Sequence, residues 1–273
     1  MLRKLMKYEF QATARYFLPM YLLLVVFAAL TRLIMSIPLD INRFFVEIPT
    51  VVLTFGYVAI IVAIFVMTLV ITVQRFYKNL LSDEGYLMFT LPVKISQHIW
   101  SKLIVAFVWT VASVFVTILS IFIFVLDGET IQAIPAGLGA FFQAMGSEAP
   151  HTWLVLLLFL VLLVLWSAEG ILQIYAAIVL GCQSSKHKML AGIGCYLGFN
   201  MVLQLVTGLL LNAIFFTSDF WEEILRGLNW NNPSVVYGAV ELGMLALALM
   251  SAAVCAVFYI ITHQMLKRRL NLE

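Results

Sequence analysis

Six long runs of mostly apolar residues, at about 17–37, 50–73, 102–126, 152–181, 190–216 and 237–262, constrain this chain more than any other feature. Each is long enough to cross the hydrocarbon core of a bilayer, which takes about 20 residues as an α-helix. Inside lipid every backbone N–H and C=O must be satisfied within the protein, so only helices and closed barrels can span. Barrel strands alternate apolar and polar residues, whereas these runs are continuous, which leaves helices. The chain therefore reads as an all-α polytopic membrane protein with six transmembrane helices. Composition agrees: 63% of residues are hydrophobic and 11% charged, against roughly 45–50% and about 25% in soluble domains. The segments between the runs, roughly 8–30 residues each, are too short for independent domains of about 50 residues or more. Residues 1–273 thus read as a single transmembrane domain.

The stretch Phe17 to Leu30 has the length of a signal-peptide core, but TRLIMSIPLD follows it and offers no small-x-small cleavage site, so a retained first helix is expected. The three cysteines, Cys182, Cys195 and Cys255, lie in or beside apolar runs, and their spacing suggests neither a disulfide framework nor a metal site.

Basic residues set the orientation. Arg3, Lys4, Lys7 and Arg15 precede the first span. Arg75, Lys78, Lys94 and Lys102 lie between spans two and three, Lys186 and Lys188 between four and five, and Lys267, Arg268 and Arg269 after span six. The opposite side carries Arg32, Arg43 and Arg226 and many acids, among them Asp40, Glu47, Asp127, Glu129, Glu148, Asp219, Glu222 and Glu223. This bias expects both termini in the cytoplasm.

Residues 1–16 form a basic amphipathic pattern. Leu2, Leu5, Met6, Phe10, Thr13 and Phe17 recur at helical spacing, while Arg3, Lys4, Lys7, Gln11 and Arg15 occupy the rest. Such a helix suits the membrane interface and anionic headgroups; it serves either as a topogenic anchor or as a lever against a cytoplasmic partner.

The loop 74–101 is the other unusual element. Ser82 can cap a short helix whose first turn carries Asp83 and Glu84, as the helix dipole favours. Tyr86, Leu87, Met88 and Phe89 give it an apolar and aromatic face, Pro92 ends it, and Ser96 can start the next helix. A short capped helix with exposed aromatics is shaped to seat in a groove of another protein; the plainer reading is an interfacial turn with aromatics in the headgroups.

The basic N-terminal segment, six spans and the loop sequence EGYLMFTLPV resemble permease subunits of ATP-binding-cassette exporters of the type-two class. The segment IYAAIVLGCQSSKHKML, from Ile174 to Leu190, resembles the end of the fourth span and the second cytoplasmic loop of these permeases. The resemblance implies that Asp83, Glu84, Tyr86, Leu87 and Phe89 belong to a coupling helix contacting the ATPase subunit. Lys186 and His187 would make a smaller second contact, and residues 1–16 would be the connecting helix. It further implies two permeases, identical or related, working with two ATPase subunits in a bacterial cytoplasmic membrane, and an extracellular segment between spans five and six that folds back toward the bilayer; 215–237, with Trp221, Trp230 and Pro233, is long and aromatic enough for that. ATP and Mg would be bound by the partner: no GxxxxGKS or GxxxxGKT sequence occurs in this chain. No nucleic-acid partner is implied.

Polar groups within the spans mark a candidate pathway. Glu169 lies near the middle of span four, where an unpaired carboxyl costs at least a few kcal/mol; Gln173, one turn on, can share a hydrogen bond with it. Asn200, Gln204, Gly208 and Asn212 follow at four-residue spacing on span five, with Gly194 and Gly198 one turn earlier. Small residues allow close backbone approach and amides bond across helix interfaces. With the resemblance, Glu169, Gln173, Asn200, Gln204 and Asn212 are expected at the pathway or the dimer interface, packing within one protomer being the plainer reading. Thr54, Tyr57, Thr68 and Thr72 on span two are weaker candidates, and Glu241 sits near the outer end of span six.

The expected function is export of a hydrophobic or amphipathic substrate (peptide, drug or lipid-like), with ATP hydrolysis on a separate subunit. A proton-coupled secondary transporter using Glu169 is the alternative, although the halves show no evident sequence repeat. A membrane-embedded hydrolase is disfavoured. EEILR at 222–226 falls one residue short of the EExxxR pattern, the histidines His98, His151, His187 and His263 are scattered, and neither GxSG nor HExxH occurs, so no catalytic residue is assigned.

Overall fold

The computed structural model describes residues 2–36, 43–81, 93–125, 127–147, 149–184, 187–216 and 233–268. Among these residues the chain forms seven helices and no strand: α1 (Leu2–Met35), α2 (Arg43–Leu81), α3 (Ile95–Val125), α4 (Gly128–Ser147), α5 (Ala149–Gly181), α6 (Lys188–Phe216) and α7 (Pro233–Arg268). All but α4 are long and apolar enough to cross a membrane, which makes six spanning helices.

The helices overrun the apolar runs that predict them. Hydropathy locates where lipid contact ends, but a helix continues until its backbone turns away. Thus α2 passes through Gln74, Arg75 and Lys78 to Leu81. Similarly, α3 begins at Ile95, where the Lys94 carbonyl accepts from the Gln97 and His98 amides at 2.8 and 3.4 Å. The basic segment 1–16 and the first span are parts of one helix, α1, which continues through Pro19. The predicted amphipathic face is the packed one: Thr13 and Phe17 are buried, and Arg3, Lys4, Lys7, Gln11 and Arg15 are exposed. Helix α4 was not anticipated. Asp127 caps it, with Oδ1 accepting the Thr130 amide at 2.7 Å.

The described residues divide into two compact units. The first holds α1, α2 up to Leu80, α3, and α4 up to Ala140; the second holds Leu81 and the rest of α4 from Phe141, with α5, α6 and α7. In the first unit, polar links run along three helices like rungs. Trp109 Nε1 donates to Thr13 Oγ1 at 2.7 Å, and its ring stacks on Phe17 at 4.5 Å. The Tyr21 and Ser113 hydroxyls lie 2.7 Å apart, Thr68 and Ser113 3.1 Å apart, and Tyr57 and Ser120 2.9 Å apart. The order of these pairs makes α1 and α3 parallel and α2 antiparallel to both. Phe17, Tyr21, Leu24, Ala28, Tyr57, Ile64 and Ile71 form the apolar core between the rungs.

In the second unit α5 and α7 run parallel along most of their length, as the pairs His151–Glu241, Leu165–Cys255 and Gln183–Met265 show. α6 returns antiparallel to α5. Gly181 lies against Gly192 so closely that a Cβ on Gly181 would collide with the Gly192 backbone. Phe199 of α6 meets Phe258 of α7 edge to face at 5.1 Å.

Candidate functional site

The predicted pathway residues all fall in the second unit, and the structure sorts them into two places. Glu169 of α5 turns toward α7, where Ser251 Oγ donates to its Oε2 at 2.5 Å. One turn on, Gln173 is 5% exposed, and its Nε2 has no hydrogen-bond partner among the described residues. The expected Glu169–Gln173 bond through that amide is therefore not made. The carboxylate reaches across to a hydroxyl on the next helix instead of along its own. Leaving a buried amide donor unpaired costs about 1–3 kcal/mol, so Gln173 holds unused hydrogen-bonding capacity inside an apolar bundle. Cys255, one turn from Ser251, completes the polar stripe, its Sγ lying 3.5 Å from the Leu165 carbonyl.

The second place is the outer surface of α6. Asn200 is half-buried and bonds back to its own helix, Nδ2 donating to the Tyr196 carbonyl at 2.9 Å. Gln204 and Asn212 are exposed. A Cβ added at Gly194, Gly198 or Gly208 would meet nothing within 4 Å. Among the described residues of the second unit, then, α6 packs through its Gly192 end and Phe199, while Gly194, Gly198, Gly208 and two of its amides are left open. Glu169 and Gln173 on one side and Gln204 and Asn212 on the other do not converge on one site within a protomer.

Of the predicted partner-contact residues, Asp83, Glu84, Tyr86, Leu87, Phe89 and Lys186 lie outside the described residues, as do residues 217–232 of the fold-back segment expected between spans five and six; its ends, 215–216 and 233–237, belong to α6 and α7. His187 is described and exposed. The weaker candidates on span two have structural work in the first unit. Tyr57, Thr68 and Thr72 are buried there, Tyr57 stacks on Phe124 at 5.2 Å, and Thr54 and Thr72 bond back to the Thr50 and Thr68 carbonyls at 2.8 and 2.7 Å. Such back-bonding lets a hydroxyl sit in an apolar bundle without a second helix.

Two polar clusters escaped sequence reasoning. His151 Nδ1 and Glu241 Oε1 lie 2.9 Å apart, with the His151 ring stacked on Tyr237 at 5.7 Å. In the first unit Glu9 Oε1 accepts from Lys102 Nζ at 2.8 Å and from Asn79 Nδ2 at 3.0 Å, and Arg75 approaches the other oxygen at 3.9 Å. Glu9, Asn79 and Lys102 are buried. Lys102 had counted only as a charge setting topology; nothing local signals a partner 93 positions away.

Comparison with protein-family models, curated proteins and solved structures found no match.

Proposed function

We propose that this chain is the membrane-spanning permease subunit of an ATP-binding-cassette exporter of the type-two class. It would work as a pair of permeases with two ATPase subunits, both termini in the cytoplasm, and move a hydrophobic or amphipathic substrate across the cytoplasmic membrane. The observation that carries the reading is the face of α6 that the described residues of its own unit leave uncovered. Gln204 and Asn212 point away from their own bundle on a membrane-spanning helix, beside glycines open to close approach. Amides turned to lipid lack partners, and helix interfaces built from small residues and amides supply them. A second permease or a substrate path against α6 meets that need. The resemblance around EGYLMFTLPV supplies the motor, through a coupling helix over Asp83–Phe89, with Lys186 and His187 as a smaller contact.

Co-purification from the native membrane tests the reading. An ATP-binding-cassette ATPase is expected to elute with the tagged chain and to be lost when Tyr86 and Phe89 are both replaced by alanine. A chain that brings down no ATPase in either form refutes it.

The short Ser251–Glu169 hydrogen bond favours a second reading, proton-coupled transport through Glu169. Transport that persists without ATP, follows the proton gradient and is abolished by Glu169→Gln selects this reading over the first.

A further inference from the structure

The one carboxylate of Glu9 joins three helices at a functionally suggestive place. It sits in the third turn of α1 and holds Asn79 and Arg75, in the last turns of α2, and Lys102, in the first turns of α3. Lys102 adds a bond of its own to α2, its Nζ donating to the Arg75 carbonyl at 3.1 Å. Around the cluster, Phe76, Leu80 and Ile99 are fully buried and Leu103 nearly so, so apolar packing is already available to hold the helices together. A buried ion pair in such surroundings adds little net stability, because desolvating the charges offsets their attraction. What it adds is direction. Apolar side chains tolerate sliding by fractions of a turn, whereas an oxygen that accepts from two helices at 2.8 and 3.0 Å has one register in which both bonds are made.

We propose that Glu9 is a latch that locks the N-terminal turns of α1 to the last turns of α2 and the first turns of α3, so that a displacement of either is carried directly into α1. Glu9, Asn79 and Lys102 are its positioning residues, with Arg75 contributing its carbonyl and a looser charge contact. The latch concerns how the chain's own parts move. It stands whether or not an ATPase docks, so its failure and the failure of the exporter reading are separate results.

The test uses the full chain in lipid nanodiscs with Cys182, Cys195 and Cys255 replaced by alanine. Spin labels go on the exposed positions Tyr8→Cys in α1 and Tyr77→Cys in α2. Double electron–electron resonance is expected to give one narrow distance in the otherwise native protein. Glu9→Leu with Lys102→Met, which keeps the site apolar and filled, should broaden the distribution at least about twofold. A Leu/Met variant that is folded and as narrow as the parent overturns the latch, since packing alone then sets the register. Glu9→Gln, nearly isosteric, provides the second measurement through hydrogen exchange. Amides in 6–12, 75–81 and 95–102 should open together, about tenfold faster, while those in 109–120 stay unchanged. Acceleration in only one of the three segments, none at all, or an equal rise in 109–120 rejects the proposal.

Discussion

Trp109 shows how single residues hold the first unit together. Its indole N–H bonds Thr13 while its ring stacks on Phe17, so one side chain supplies both a polar and an apolar link between α1 and α3. Trp109→Phe keeps the stack and removes the N–H. Thr13 still donates to the Glu9 carbonyl at 2.8 Å, so the loss should be about 0.6–2 kcal/mol, the range for interhelical hydrogen bonds in membranes. Trp109→Ala also opens a cavity and should cost toward the low end of about 3–5 kcal/mol, since the ring is only partly buried. Unfolding in mixed detergent, followed by tryptophan-independent circular dichroism, separates the two. At Asp127 the hydrogen bonds from Thr130, the largest influence, and the nearby Arg32 charge hold the carboxyl below its ordinary value of 3.8. A depressed carboxyl stabilises the structure above its unfolded pKa and loses that contribution as pH falls through the lower, folded value. Protection of the Thr130 amide, corrected for intrinsic exchange, should therefore be full at neutral pH and decline only below the ordinary aspartate range. Asp127→Ala should lower the protection at neutral pH and remove this pH dependence.

At the scale of elements, the spanning helices were legible because continuous apolar runs have one solution in lipid, and the amphipathic face of 1–16 because burial follows its three- and four-residue spacing. Helix α4 was not legible. Gly128, Pro135, Gly137, Gly139 and Gly146 weaken its intrinsic propensity, and no run of 20 apolar residues announces it. The candidate site was read in residue types but not in partners. Glu169 was singled out, yet its bond to Ser251 spans 82 positions, and Glu9 was passed over because its lysine lies on another helix. Side-chain pairing between helices depends on rotation and register, which hydropathy does not encode. The α5–α6 packing offers a test at this scale. Gly181→Ala puts a methyl against the Gly192 backbone and 2.9 Å from the Lys188 carbonyl, and backbone atoms cannot rotate away. The substitution should destabilise the second unit by about 1–3 kcal/mol, as overpacking does, whereas Gly194→Ala should be nearly neutral to the isolated protomer. Thermal unfolding of the two variants under conditions that keep the chain monomeric makes the comparison.

For the whole molecule, the proposal is that covering α6 is what assembles a working transporter, and the open glycines provide a way to ask. Gly194→Leu and Gly198→Leu add bulk where the described residues leave empty space, so the fold should tolerate both. A second α6 approaching those glycines could not. Self-association, measured by dilution of donor- and acceptor-labelled chains in liposomes, should weaken about tenfold or more in the double variant, and Asn212→Leu should cost about 0.6–2 kcal/mol if its amide bonds across the interface. The two effects differ in kind, one steric and one a lost hydrogen bond, so Asn212→Ser should recover part of its share while nothing short of a small residue recovers the glycines. If association is unchanged in all three, the outward face of α6 meets lipid or substrate instead of a partner helix. Transport impaired without loss of association would then place Gln204 and Asn212 along the path of the cargo, because only a ligand would feel amides that no second chain covers.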